Sequence, residues 1–457
     1  MKDYTISFLV TRFFDQDGAL IMYNWLNSEN VRITDSNHPI YVFVQTGGNK
    51  RIAPFKVNGD SGDFEYLVAN KFLVISQDES RKDARVLYEE SRNLENLNLV
   101  LMPADQQCNF SCVYCHEDHN KRSRMGESEL GILEKFISKW NPRTFRVDYF
   151  GGEPLLNAKF IKKFNSKMIE LADSGKFTFL SSSMTTNGFL LDRKLFLELL
   201  NLRITTYQIT LDGTEEFHNK YRPLVNGKPT FERIYQNLVS ISHLPKEEYF
   251  FSITIRMNFN RSSASTESRK KFFDQLKSDF GDDDRFIFMV QMISNWKEEA
   301  HDGELYCTED EGTQLQTEME HELESMGLNT VPMVLFSGPG SNHCYSSKPN
   351  NIIAYPISEA LNGGMPIEKC TLAVNGSINK TGYIDTDGII HRSDKWDFWT
   401  EDSLFKHEKC QECFFALNCF SKSCGLNNLK QNDVVCPEHK LHEVDIVQRV
   451  LQFIKNG

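Results

Sequence analysis

Cys108, Cys112 and Cys115 follow the apolar run Leu97–Met102 in the spacing C-x3-C-x2-C. Three thiolates on one short loop can bind three irons of a cubane cluster and leave the fourth iron open to chelate a ligand. The same thiolates with His116 would instead make a zinc site of three sulfurs and one imidazole, although this spacing departs from the paired C-x2-C hooks usual for zinc. A second group reads Cys410-x2-Cys413-x5-Cys419-x4-Cys424-x11-Cys436 and is preceded by Cys370. Sets of four thiolates suit zinc as well as iron–sulfur. Of the 11 cysteines only Cys307 and Cys344 stand apart, and Cys307 reads as a small hydrophobe.

Other chemistry-bearing residues close apolar runs. Tyr149-Phe150-Gly151-Gly152-Glu153-Pro154 combines glycines that admit a close backbone with a carboxylate that can accept from an ammonium. Taken alone it is equally a strand-ending turn. Thr185-Thr186-Asn187-Gly188 and Thr210-Leu211-Asp212-Gly213 have the same alternative, an Asn-Gly or Asp-Gly turn. Arg256, inside the apolar run Ser252–Asn258, must find an anion or reach solvent; a bound carboxylate and a structural salt bridge both satisfy it.

These residues need a scaffold that puts strand ends together. From about residue 97, strand patterns at Leu97–Met102, Phe145–Phe150, Phe177–Met184, Ile204–Leu211, Tyr249–Asn258 and Arg285–Met292 alternate with amphipathic helical patterns. The helices are expected at Leu130–Trp140, Ala158–Ala172, Arg193–Leu200, Phe231–Ser242 and Ser268–Phe280. Alternation of this kind predicts an α/β fold of parallel βαβ units. Six strands are too few for the eight-stranded barrel, so an open partial barrel is expected, with its chemistry on the loops after the strand C-termini. Ahead of it, residues 1–95 read as a small α+β module, with strand-like runs Tyr41–Val44, Phe64–Leu67 and Lys71–Ile75 and a charged helix Glu79–Asn93. The barrel is assigned 96–300, a bridging stretch 301–340, a cysteine-bearing region 341–440 of weak periodicity, and a closing helix within 441–457, over Val444–Ile454. The cysteine-bearing region lacks the apolar content for a large core and is expected to be held by metal.

The chain of 457 residues, 40% hydrophobic and 25% charged, can bury cores without disulfides. No run approaches the roughly 20 apolar residues that span a bilayer, and the opening Met1–Phe14 lacks a secretory pattern, so no membrane partner and a cytoplasmic location are expected. A net charge of −12 without a basic stripe argues against nucleic acid. In a reducing compartment the cysteines are metal ligands or catalytic thiols before they are disulfides.

The loop Cys108–Cys115, with Tyr114 just before its last cysteine, resembles the cluster loop of radical S-adenosylmethionine (SAM) enzymes, and the resemblance runs from about residue 97 to 437. It implies a partial (β/α)6 TIM-like barrel and a [4Fe–4S] cluster on Cys108, Cys112 and Cys115. It also implies SAM chelated by the open iron and cleaved to a 5′-deoxyadenosyl radical that abstracts hydrogen. By the same resemblance Tyr114, Gly151, Gly152, Glu153, Asn187, Asp212 and Arg256 lie at the SAM site, with Arg256 on its carboxylate. The C-terminal cysteines resemble the SPASM extension of these enzymes, which usually holds two auxiliary [4Fe–4S] clusters. That implies a distal cluster on Cys410, Cys413, Cys419 and Cys436, and a proximal one that includes Cys370 and Cys424.

Two positions depart from the SPASM pattern. Four residues, Phe420–Ser423, follow Cys419 where three are usual, and Gly388 leads to Ser393 where a cysteine is expected. Cys344 could replace that thiolate, another residue could ligate, or the iron could stay open. In anaerobic sulfatase-maturating relatives an aspartate directly after this cysteine deprotonates the substrate, which makes Asp394 the matching base; a surface aspartate is the alternative. SPASM enzymes mostly modify peptides and proteins, and residues 64–93 could help form a leader-peptide recognition module. The resemblance implies a maturase of a ribosomally made (RiPP) precursor peptide that forms a thioether or C–C crosslink, served by an electron donor such as flavodoxin or ferredoxin. Formylglycine formation from Cys or Ser and a zinc-stabilised binding protein are the alternatives.

Overall fold

The computed structural model describes residues 3–47, 52–117, 119, 123–295, 305–330, 340, 343–373, 376–431, 433–436, 444, 447, 448, 450 and 451. The chain forms two compact units: Met1–Asn93 with Pro332–Pro349 and Trp399–Gly457, and Leu94–Val331 with Asn350–Phe398. Most of the expected helix Val444–Ile454, and the bridging stretch apart from residues 305–330 and 340, lie outside the described residues.

The first unit opens with β1 (Thr5–Ile6) and an antiparallel meander of β2 (Val10–Phe14), β3 (Leu20–Asn24) and β4 (Asn30–Ile33). Helices α1 (Pro39–Gln45) and α2 (Gly62–Ala69), then β5 (Leu73–Val74) paired with β1, and α3 (Gln77–Ser91) complete its N-terminal part. All of β3 is buried. Leu20 and Met22 enter one core with Ile6, Val10, Ile40 and Phe72. Tyr23, pointing the other way as strand alternation requires, enters a second with Trp25, Tyr88, Phe415, Leu417 and Phe420. The C-terminal cysteine segment of this unit thus packs on apolar side chains from the N-terminal module. Two expected strands are helices. Pro39 occupies the first turn of α1 and His38 Nδ1 accepts from Ile40 N at 3.2 Å, while Asp63 and Glu65 sit in the first turn of α2. Helix-starting chemistry overrides the β propensity of Tyr41–Val44 and Phe64–Leu67.

The second unit alternates as its periodicity predicts. In chain order it runs β6 (Asn96–Leu101), α4 (Glu127–Trp140), β7 (Thr144–Tyr149), α5 (Ala158–Asp173), β8 (Thr178–Phe179), β9 (Ser182–Thr186) and α6 (Arg193–Asn201). It continues with β10 (Ile204–Thr210), α7 (Glu215–Tyr221), α8 (Phe231–Ser242), β11 (Ser252–Phe259), α9 (Thr266–Phe280), β12 (Phe286–Met292) and α10 (Glu309–Ser325). Strands β6-β7-β9-β10-β11-β12 lie side by side and parallel, with all their C-termini at one edge. Four further strands, β13 (Asn351–Ala354), β14 (Met365–Glu368), β15 (Gly382–Ile384) and β16 (Ile390–Arg392), extend the sheet beyond β6. Only β13 among them is parallel to its barrel neighbour; the rest are antiparallel. They are too short for periodicity to reveal them. No described helix is long and apolar enough to cross a membrane.

One polar residue interrupts the buried stripe Phe160, Ile161, Phe164 and Met168 of α5. Asn165 accepts from the Tyr149 hydroxyl and donates to Leu202 O at 2.8 Å and Ser182 Oγ at 3.2 Å. It joins β7, α5, β9 and the turn into β10, the strands whose ends form the site described below. Replacing it with leucine strands a buried hydroxyl and a buried carbonyl, each worth about 1–3 kcal/mol. Asn165→Leu is therefore expected to lower unfolding free energy by roughly 2–4 kcal/mol in a denaturant titration.

Candidate active site

The cysteine loop leaves β6 through two tight turns, with Asp105 N donating to Met102 O at 2.9 Å and Gln107 N to Ala104 O at 3.0 Å. The glycine turn after β7 lies against it. Glu153 N donates to Gln107 O at 2.7 Å. A Cβ on Gly152 would meet Gln107 O at 2.2 Å, and one on Gly151, whose φ is +117°, would meet Asp105 O at 2.4 Å. The glycines are thus required by backbone packing between two strand-end loops. The other side of the cysteine loop is paired with the segment after α7: Ser111 N donates to Pro223 O at 2.9 Å, Val113 N to Tyr221 O at 3.0 Å, and Val225 N to Asn109 O at 3.0 Å.

Side chains from the remaining strand ends converge on this loop. Glu153 is fully buried and accepts from Leu155 N at 2.9 Å, Thr186 Oγ1 at 2.7 Å and Asn187 N at 2.7 Å, so its carboxylate ties the second strand end to the third. Asn187 Nδ2 reaches Asn109 Oδ1 at 2.8 Å and Cys108 Sγ at 3.8 Å. Tyr114 donates to Asp212 and accepts from Arg222 Nη1 at 2.8 Å and Asn258 Nδ2 at 3.2 Å. Asp212, also fully buried, takes Asn258 N at 3.0 Å. Arg256 donates through Nε to Asn258 Oδ1 at 2.9 Å and, among the described residues, has no carboxylate within salt-bridge distance. Among the described residues it is not half of a structural ion pair; the charge of Asp212 favours it only from a distance.

The loops enclose a cavity of about 450 Å³. Its lining includes Cys108, Cys112, Cys115, Tyr114, Gly151, Gly152, Asn187, Arg222, Arg256 and Asn258, together with Gln291 and Met292 from β12. Burial pushes the Cys108 thiol up to about 12 and the Cys112 thiol up to about 11; neighbouring thiolates add to the rise and the Arg222 guanidinium opposes it at Cys112. Two such thiols side by side will not ionise together without a strong local positive charge, which bound iron would supply. Among the described residues no three His, Cys, Asp or Glu side chains converge on a point suited to one ion. A cubane takes its thiolates on separate corners, so the donor set fits a cluster better than zinc. Burial raises Glu153 and Asp212 and lowers Arg256, with Arg222 counteracting the rise at both carboxylates.

The first unit gathers a second set of thiols. Burial pushes Cys419 up to about 12, with Cys413, Cys410 and Cys436 contributing through their charge. Burial raises Cys344 as well, and Cys424 adds to it. In the second unit Cys370 is buried, its N–H accepted by Asn379 Oδ1 at 2.9 Å, and the next residues, Thr371 and Leu372, line the cavity. Ser393 holds its hydroxyl locally: Oγ donates to Lys380 O at 3.0 Å and accepts from Lys395 N at 3.3 Å. Asp394, in the first turn of the helix Asp394–Thr400, is exposed and is not part of the cavity lining. The structure therefore does not bring this expected base to the other site residues. Cys307 lies half-buried near the Arg261–Glu311 ion pair.

Residues 105–253 match the model of the radical SAM superfamily. The chain carries a radical SAM domain. It is 29% identical over 227 residues to the cysteine-type anaerobic sulfatase-maturating enzyme of Clostridium novyi, covering 46% of this chain and 55% of that enzyme. It is 28% identical over 154 residues to the serine-type enzyme of Bacteroides thetaiotaomicron, covering 31% and 36%. The chain thus matches about half or less of the length of these curated relatives. Among solved structures, native anSMEcpe with bound AdoMet and Cp18Cys peptide superposes with a TM-score of 0.60 at 17% identity, over 79% of this chain and 99% of that one. A radical SAM domain is one that uses SAM and a [4Fe–4S] cluster, and in the partial-barrel fold shared with that structure the cysteine loop lies at the C-terminal end of the first parallel strand.

Arg222, Asn258 and Gln291 belong to this site and are silent in the sequence. Arg222 is one arginine before a proline until the pairing of 221–225 with 109–113 brings it under the cysteine loop. Gly152→Ala must push the glycine turn off Gln107 O. The variant is expected to fold with wild-type circular dichroism, to reconstitute with less iron, and to show no change in the electron paramagnetic resonance (EPR) signal of its reduced clusters when SAM is added.

Proposed function

We propose that this radical SAM enzyme is a peptide maturase that forms a thioether or C–C crosslink in a ribosomally made precursor. Cys108, Cys112 and Cys115 hold the cluster, and Arg256 binds the SAM carboxylate. When bound, the cluster and SAM supply the 5′-deoxyadenosyl radical that takes hydrogen from the substrate. The protein residues place that event: Glu153 fixes the glycine turn and Asn187, and the Tyr114–Asp212–Asn258 bonds hold the cavity floor. The observation that carries the reading is the guanidinium of Arg256, with no carboxylate in salt-bridge distance among the described residues, in the same cavity as the three thiols. A charge-assisted bond to a carboxylate is what such a group lacks.

A peptide substrate is supported by the bound peptide of the anSMEcpe structure and by the second thiol set, which we assign to auxiliary clusters that accept an electron or bind a substrate thiolate. Cys410, Cys413, Cys419 and Cys436 form one such set; Cys344 and Cys424 contribute to the other. A flavodoxin or ferredoxin in the cytoplasm would supply electrons, and the N-terminal module would receive the leader. Asp394, the matching base for formylglycine formation, is exposed and outside the cavity lining. Identity to sulfatase-maturating enzymes favours formylglycine as the second reading.

Anaerobically reconstituted protein with SAM and dithionite is expected to release 5′-deoxyadenosine, and Cys112→Ala to release none. After co-expression with a short peptide encoded beside the gene, tandem mass spectrometry is expected to show loss of a hydrogen pair and no fragmentation between the joined residues. A product that fragments throughout and reacts with an aldehyde probe would establish formylglycine instead.

A further inference from the structure

The Arg222 guanidinium has no task in the reading above, yet it packs on the cysteine loop and lines the same cavity. The residue is 7% exposed. Its guanidinium lies over the rings of Phe110, at 5.8 Å, and Tyr114, at 6.0 Å, both residues of the loop. Nη1 donates to Tyr114 at 2.8 Å, while Nε makes no hydrogen bond and stands 4.0 Å from Asp212 Oδ2. Its main chain is clamped as well: N–H donates to His218 O at 2.8 Å and the carbonyl accepts from Thr230 Oγ1 at 2.7 Å. Asp212 compensates only part of this charge. The guanidinium lines the same cavity as Cys108, Cys112 and Cys115, and its position is fixed from both main chain and side chain. A guanidinium stays charged at any working pH.

A cluster that gains an electron gains negative charge, and a fixed cation beside it stabilises the reduced form more than the oxidised form. We propose that Arg222 is a positioning residue that sets the reduction potential of the cluster on Cys108, Cys112 and Cys115, holding it within reach of the electron donor. The proposal rests on the reading that these three thiolates hold the SAM cluster. The effect is electrostatic, so it follows the charge at position 222 and not the hydrogen bond to Tyr114.

The test is a potentiometric titration of the anaerobically reconstituted full chain with dithionite, following the reduced-cluster EPR signal that SAM perturbs. Arg222→Gln is expected to shift the midpoint of that signal to more negative potential and Arg222→Lys to restore most of it. An unchanged midpoint in Arg222→Gln, or an equal shift in Arg222→Lys, overturns the proposal. If Arg222→Gln does not hold the cluster, retention in Arg222→Lys supports a requirement for the charge, and loss from both variants overturns it. Absence of any SAM-perturbed signal in the wild type would refute the cluster reading itself, an outcome separate from all of these.

Discussion

Holding three partly buried thiols that must ionise side by side is the constraint on which the rest of this structure depends. Each thiolate costs desolvation and repels the other two, and the thiols of Cys108 and Cys112 stand well above the ordinary range for this reason. The loop tolerates this because its backbone is fixed from both sides. The Gly151–Gly152 turn packs against Asp105 and Gln107 where no side chain would fit, and the segment 221–225 pairs with 109–113. The positive charge that offsets the thiolates comes from bound iron and, by our proposal, from Arg222.

The parallel sheet turns this local solution into a site. All six barrel strands end at one edge, so each contributes residues at or just past its end to the same cavity: the cysteine loop after β6, the glycine turn after β7, Asn187 after β9, Gln208 and Thr210 within β10, Arg256 and Asn258 within β11, and Gln291 from β12. Hydrogen bonds between strand ends, such as Glu153 to Asn187 N and Asp212 to Asn258 N, keep the loops in register. Buried carboxylates used this way are positioning groups, and their own elevated affinity for protons reflects the burial that makes those bonds rigid.

Where period and spacing are local, the sequence was legible. Six strands and five helices follow from apolar periodicity, and the cysteine loop with the motifs at strand ends follows from spacing. Contacts across long separations were not. Arg222 matters only because its segment pairs with a loop about a hundred residues earlier, and β13–β16 are too short for period to distinguish them from loop. The strand-like run Tyr41–Val44 is helical because Pro39 and His38 start a helix there. Ser393 stands where a thiolate was expected, and its hydroxyl is spent on Lys380 O and Lys395 N, a use that residue type alone does not disclose.

The central claim is that the cavity beside Cys108, Cys112 and Cys115 holds SAM on the open iron of a cluster. Pulsed electron–nuclear double resonance on the reduced, reconstituted protein with SAM labelled by ¹⁵N in its amino group tests it directly. The account predicts a ¹⁵N coupling to the cluster that is lost when Cys112 is replaced by alanine. A reduced cluster that binds labelled SAM without any such coupling, or a coupling that survives in Cys112→Ala, would contradict it.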